Sequence, residues 1–246
     1  MDKLDSSYID WKSWEFSSFG RFDASDGVYF AAETGICERS ADRVLEIGFG
    51  NGAFLGWAKS IGCDVFGIEA NPMLNERARD FLGAENVFDS LSDERLKPLN
   101  GTMTHIVAFD VIEHVPMNEL SALLVRARSL LAIGGRIILR FPNGDSPFGR
   151  ISQHGDPTHV TTLGYQRLEF FARESGLKLT EIRGPKLPTM GVGLRRGINR
   201  WVLNVMRSLI ERIVGRLYFG GRRVALDPNY VAILARADIQ RRDPKT

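Results

Sequence analysis

From Arg43 onward, short runs of branched and aromatic residues alternate with amphipathic stretches, and this alternation predicts most of the elements. Arg43–Ile47, Asp64–Glu69, Asn86–Phe88, Thr104–Phe109 and Arg136–Phe141 read as strands, several apolar enough to be buried on both faces. Ala53–Ser60, Met73–Phe81 and Asn118–Leu131 read as helices between them, and Gly134-Gly135 turns the last helix into the next strand. Gly176-Leu177 to Arg183 and Asn229–Arg236 are two later strands. Alternation of this kind predicts an α/β, doubly wound, mostly parallel sheet with right-handed crossovers.

Two segments depart from the alternation. Residues 1–40 are dense in aromatics: Tyr8, Trp11, Trp14, Phe16, Phe19, Phe22, Tyr29 and Phe30. They read as helices packed on the sheet, or as a lid that brings Phe19, Arg21 and Phe22 near a site. From Arg195 to Arg223, eight arginines face one acid, Glu211, so the segment carries +7 and the rest of the chain −5 of the net +2. Ile198, Trp201, Val202, Val205, Met206, Leu209, Ile210, Ile213, Val214 and Leu217 recur there at helical spacing, with Asn199, Arg200, Asn204, Arg207, Glu211 and Arg212 opposite. This is a long amphipathic helix with a basic polar face. It suits packing on its own domain, a homodimer contact, or an anionic membrane surface. Nucleic acid is the weakest partner, because no aromatic stacking face interleaves the arginines.

The chain therefore divides into an N-terminal segment (1–40), a cofactor-binding core (41–185), a basic helical insertion (186–226) and a last strand with its tail (227–246), of which Arg241–Thr246 reads as frayed. Cys37 and Cys63 have no C-x-x-C spacing, which argues against a disulfide framework or a zinc-thiolate site. The acidic start, Met1 to Asp5, lacks an apolar signal region, and no uncharged run is long enough to span a bilayer. The expected location is cytoplasmic, with peripheral contact at a membrane through the basic helix as the variant.

The chemistry concentrates after the strands. Val44-Leu45-Glu46-Ile47-Gly48-Phe49-Gly50-Asn51-Gly52 is a strand followed by three alternate glycines and a helix, a cradle in which backbone approaches a nucleotide cofactor. Gly48-x-Gly50-x-x-Ala53 also fits a dinucleotide fingerprint, which leaves a nicotinamide-dependent oxidoreductase open. Glu46 tips the balance: a carboxylate is unhelpful beside a pyrophosphate and suits a cofactor with an ammonium group. Glu69, at the end of the second strand, would take ribose hydroxyls in either case.

After the fourth strand come Asp110, Glu113 and His114, which share one face if that stretch is helical. Two carboxylates and an imidazole form either an acid–base group or hard-metal ligands. The loop after the fifth strand, Pro142 to His159, is too polar for core and too long for a plain connection, and it carries His154 and His159. His105, inside a strand, reads as a satisfied sheet histidine.

With Glu46-Ile47-Gly48-Phe49-Gly50-Asn51-Gly52, Glu69 and Glu113-His114-Val115 in register, the span from about Arg43 to Thr180 resembles class I S-adenosylmethionine (SAM)-dependent methyltransferases. It is most similar to the branch of ubiquinone-biosynthesis O-methyltransferases and glycan-cluster tailoring enzymes. The resemblance implies a Rossmann-like, seven-stranded, mostly parallel sheet whose antiparallel last strand inserts beside the fifth. It implies cofactor contacts at Glu46, Gly48, Gly50 and Gly52, ribose contacts at Glu69 with Ala70 and Asn71, and adenine near Phe88 and Asp89. Phe109 and Asp110 would flank the cofactor. Thr104 departs from the aspartate that commonly begins the family's fourth strand. The small-RNA 3′-end 2′-O-methyltransferases hold a divalent ion on an E-x-x-E-H group and a later histidine. Asp110, Glu113, His114 and His159 resemble that group and would suit Mg²⁺ or Mn²⁺, although a metal-free site is the first reading.

The activity expected is therefore SAM-dependent O-methylation of a hydroxyl on a small molecule or glycan, with a lipid-linked acceptor as a variant. His159 or His114 would be the base and Glu113 its orienting partner. The alternatives are a metal-assisted 2′-O-RNA methyltransferase, the oxidoreductase, and a non-catalytic SAM-binding scaffold.

Overall fold

The structure is a computed structural model that describes residues 18–38, 41–222 and 224–237. Tyr8, Trp11, Trp14, Phe16, Arg223 and the tail Arg241–Thr246, singled out in the sequence, lie outside the described residues. In chain order the elements are α1 (Ala24–Thr34), β1 (Arg43–Ile47), α2 (Ala53–Ser60), β2 (Asp64–Ile68), α3 (Pro72–Leu82), β3 (Val87–Phe88), β4 (Met103–Phe109) and a 3₁₀ turn, Ile112–His114. There follow α4 (Leu120–Leu130), β5 (Leu131–Pro142), α5 (Gly149–Gly155), α6 (Tyr165–Glu174), β6 (Leu177–Arg183), α7 (Leu194–Tyr218) and β7 (Asn229–Arg236).

The strands form one seven-stranded sheet in the order β3-β2-β1-β4-β5-β7-β6. β1 to β5 run parallel, and β7 lies antiparallel between β5 and β6. This is the Rossmann-like α/β fold expected. Strand periodicity explains its two cores. Leu45, Phe66, Ile106 and Ile137 pack on one face with α4 and α6, while Val44, Val65, Val107 and Ile138 pack on the other with α1, α2 and α3.

Some boundaries move. β5 begins at Leu131, which pairs with Met103, so Gly134 (φ 81°) and Gly135 lie inside the strand at a register shift and do not terminate the helix. The loop after β5 contains a short helix, α5. His105 is buried at the strand start, its Nδ1 3.0 Å from Thr104 Oγ1. Thr104 in turn donates to Asp42, so the departure at Thr104 builds a local hydrogen-bond group.

The end of the N-terminal segment is a strap. Gly20 N–H donates to Asn51 O at 2.9 Å, and the Gly20 carbonyl lies where a side chain on Gly56 of α2 would be. The Phe19 ring rests edge-on against Phe49 and Phe81. Arg21 and Phe22 are exposed.

We expect Gly56→Ala to lower stability by about 1–3 kcal/mol, because a backbone segment must move. Gly155→Ala, where nothing lies within 4 Å of the added carbon, is the near-neutral control. Thermal unfolding of both variants checks this.

Candidate active site

The turn between β1 and α2 is left-handed at Gly48 (φ 69°), Gly50 (φ 51°) and Gly52 (φ 73°). At Gly48 and Gly52 a Cβ would also strike Val111 and the Phe19 ring, so both conformation and space require glycine. Glu69 ties the turn down. Its Oε2 accepts from Gly50 N–H at 3.2 Å, and its Oε1 accepts from Ala70 N–H at 2.8 Å and Asn71 N–H at 3.1 Å. Burial raises the Glu69 pKa and these three hydrogen bonds oppose the rise. Asn71 caps α3 by accepting from Met73 N–H at 3.0 Å.

Glu46 is buried at the adjacent strand, and its Oε2 has no hydrogen-bond partner. Burial, then the nearby Glu69 charge, pushes its pKa well above the usual carboxylate value. A buried acceptor without a partner costs free energy unless a ligand supplies the donor. An ammonium group would satisfy this one, and a pyrophosphate would be repelled by it.

A cavity of about 620 Å³ opens at the carboxyl ends of the strands. That volume suits a nucleoside-sized ligand. Glu46, Gly48, Gly50, Asn51 and Phe109 line one part, and Glu113, His114, Asp156 and His159 line another. Between them in sequence stands an ion pair that crosses two strands. Arg140 donates to Asp110 through Nε at 2.9 Å and Nη2 at 2.5 Å, and to the Tyr29 hydroxyl at 3.0 Å. Its guanidinium lies 4.9 Å from the Phe109 ring centroid. Asp110 is the one non-glycine residue with positive φ (58°) among the described residues, and that conformation aims its carboxylate at Arg140.

The second part is an acid–histidine cluster. Val160 N–H and Thr161 N–H both donate to the Glu113 carbonyl at 2.9 Å, which hangs the loop after α5 on the 3₁₀ turn and brings in His159. His159 Nε2 is 3.9 Å from Glu113 Oε1 and 3.8 Å from Asp156 Oδ2, while its Nδ1 is 3.2 Å from Gln153 O. The His114 and His159 rings meet edge to face at 4.6 Å, and His114 Nδ1 is 2.9 Å from Thr158 Oγ1. Glu113 is buried and its Oε2 has no partner. Burial, then the Asp110 charge, raises its pKa to about 8.

The structure thus brings together Glu113, His114 and His159, with one ligand atom from each within 4.8 Å of the others. It does not bring in Asp110, which Arg140 holds; of the four residues that the resemblance grouped, three cluster here. His154 is exposed and does not line the cavity. Glu69, Ala70 and Asn71 stand beside the glycine turn and do not line the cavity either. Phe88 is in the core with the Arg95 guanidinium 5.0 Å from its ring, and Asp89 binds Asn75 and Arg79. The cavity wall therefore takes Glu46, Gly48, Gly50, Phe109 and Asp110 from the expected cofactor set. Sequence reasoning missed Arg140, Asp26 and the role of Tyr29. The aromatic density before Arg43 was the one signal for Tyr29, and an arginine inside a hydrophobic strand was the signal for Arg140.

The sequence profile of a methyltransferase-domain family matches residues 19–182, two thirds of the chain. No sequence among curated proteins matches it. Among solved structures, a SAM-dependent methyltransferase from Archaeoglobus fulgidus is similar at TM-score 0.61 and 20% identity, covering 94% of this chain and 99% of that one. A geranyl diphosphate methyltransferase in complex with SAM is similar at TM-score 0.54 and 18% identity, covering 96% and 92%. A TehB-like SAM-dependent methyltransferase from Corynebacterium glutamicum is similar at TM-score 0.54 and 14% identity, covering 94% and 97%. At these identities the structural likenesses carry the fold, and the family match carries the membership. With its glycine turn, buried Glu46 whose Oε2 lacks a partner, and antiparallel β7, this chain belongs to the methyltransferase-domain family, as a class I SAM-dependent methyltransferase.

Proposed function

We propose that this methyltransferase acts on a hydroxyl oxygen, of a small molecule or a glycan, with His159 as general base. The observation that carries the reading is the pair of contacts on the His159 ring. Nδ1 is 3.2 Å from the Gln153 carbonyl, which can only accept, so the proton belongs on Nδ1 and Nε2 keeps its lone pair, beside the Glu113 and Asp156 carboxyls in the cavity that His159 lines. An alcohol acceptor needs such a base, because its proton must leave as the methyl arrives.

SAM supplies an electrophilic methyl group on a sulfonium. The remaining work falls to the chain. Glu46 would receive the ammonium end of the cofactor, and the glycine turn would admit its body without Cβ obstruction. The Asp110–Arg140 pair walls the site, and this closed carboxylate–guanidinium pair would present little net charge to the sulfonium. Nε2 of His159 takes the acceptor proton, and the imidazolium formed lies beside Asp156, whose negative charge stabilises it, and beside the Glu113 carboxyl. Glu113, His114 and His159 also fit a divalent ion, given the unpartnered Glu113 Oε2. Such an ion would supply Lewis acidity that lowers the acceptor's pKa.

Three outcomes follow from these roles. Calorimetric titration with S-adenosylhomocysteine should give binding that Glu46→Gln weakens about tenfold to a hundredfold, by loss of a buried charge-assisted hydrogen bond. With labelled SAM and a panel of phenols, catechols and glycans, label should appear on oxygen. His159→Gln should then lower kcat by about a hundredfold or more while S-adenosylhomocysteine binding persists. Products methylated only on nitrogen or carbon would overturn the oxygen assignment.

Glu113 yields a pH test. It stays protonated in the fold up to about 8, whereas in the unfolded chain it ionises near 4.5. The folded state then binds more protons than the unfolded one, so this group's contribution to stability falls as pH rises from about 4.5 to about 8. Glu113→Gln should therefore melt several degrees higher than the wild type above pH 8, with the difference closing toward pH 5. A thermal-melt series across pH reads it.

A further inference from the structure

Helix α7 is docked by the wrong side for a helix that packs on its own domain. Arg200 Nη1 donates to Pro188 O at 3.1 Å and Asn204 Nδ2 to Leu187 O at 3.2 Å. Arg207 pairs with Asp227, and Glu211 Oε1 accepts from Leu226 N–H at 3.0 Å. These four recur at steps of four, three and four residues, one stripe of the helix. Gly197 and Gly215, the buried residues of α7, lie along the same side and let the backbone approach Thr189 O and Arg222 O.

The apolar side is left in water. Ile198, Trp201, Val202, Val205, Leu209 and Ile213 are between 40% and 61% exposed. A continuous apolar stripe of this kind on a soluble surface marks something that covers it. Charge identifies what. Arg195 precedes the stripe and Arg216 follows it, while Arg212, expected from the sequence on the opposite side, stands next to Ile213 near the stripe's end, and all three are exposed. The helix's one acid, Glu211, is turned inward. The outward side therefore combines apolar residues with positive charge alone.

A second copy of the chain would set arginines against arginines. A polyanion such as nucleic acid would leave the apolar stripe wet. An anionic lipid surface meets both requirements: acyl chains take the apolar side chains, and headgroup phosphates take the guanidinium groups. At about 1.5 Å per residue the helix is long enough to lie in the interface over several headgroups. Among the described residues no helix is long and apolar enough to cross a membrane. We propose that α7 binds the enzyme in-plane to an anionic lipid bilayer through its outward apolar side. Arg200 Nη2, 3.5 Å from Ser25 Oγ, couples the helix to the start of α1, whose Asp26, Tyr29 and Phe30 line the active-site cavity. Binding at α7 thus holds the active site close to the membrane surface.

The test is flotation of the full chain with vesicles of phosphatidylcholine, alone or with roughly a third phosphatidylglycerol. Binding should be about tenfold stronger to the anionic vesicles and should fall at high salt. The double variant Val205→Asp/Leu209→Asp should lose binding by about tenfold or more, and Arg212→Glu/Arg216→Glu should lose the preference for anionic lipid. All four positions are exposed, so the melting temperatures should match the wild type, which separates lost docking from lost folding. Absence of vesicle binding would overturn the proposal, as would equal binding to neutral vesicles or binding retained by Val205→Asp/Leu209→Asp. So would a dimer in solution that this double variant dissolves, because a second copy would then cover the stripe.

Discussion

The structure depends on a buried carboxylate holding a backbone that has little else to hold it. The turn from Gly48 to Gly52 runs through left-handed conformations and carries no helix or sheet ladder of its own. Glu69, from the neighbouring strand, accepts the Gly50 N–H and the first N–H groups of its own following turn. Gly48 N–H donates to Ile68 O at 2.7 Å, so both strand ends are spliced at the point where the cofactor must enter. Two acids, Glu46 and Glu69, consequently share a buried region, and the Glu69 charge adds to the cost of ionising Glu46. A cationic group placed at Glu46 Oε2, which has no hydrogen-bond partner, would relieve that cost.

The acceptor side uses the same device with different partners. The Glu113 carboxyl is buried beside Asp110 and Asp156, while Arg140 neutralises Asp110 from the adjacent strand. The loop after β5 is anchored by two N–H groups on one carbonyl, which fixes His159 without requiring its ring to make that anchor. Histidine geometry and acid protonation are thus set by separate contacts. The imidazole is oriented by backbone while carboxyls from the segments after two adjacent strands, β4 and β5, set its electrostatic surroundings.

The elements with strong local patterns were legible. The strands of the core carry alternating side chains for two helical layers; Asn229–Arg236 matches the bounds read from sequence, and Leu177–Arg183 begins just after Gly176, where that reading started it. The glycine turn, Glu46 and the Glu113-His114 pair were readable because spacing alone places them at strand ends. Asp110 was misassigned to the metal group because the i, i+3, i+4 rule presumes a helix. Its positive φ breaks that geometry and hands the side chain to Arg140, thirty residues away. The resemblance implied adenine near Phe88, and the structure buries that ring in the core.

Sequence by itself determined the order and period of the elements, the left-handed turn and the acids and histidines available to it, because each of these rests on residues close in the chain. Only the tertiary structure decided which of them meet. Helical periodicity showed that α7 has two unlike sides, and both remained possible as the packed side. Carbonyls at Leu187 and Pro188 and the carboxylate of Asp227 lie outside the helix, and they hydrogen-bond its polar stripe and turn the apolar one outward. Amphipathicity is a local property; the direction it faces is set by partners that the local pattern does not contain.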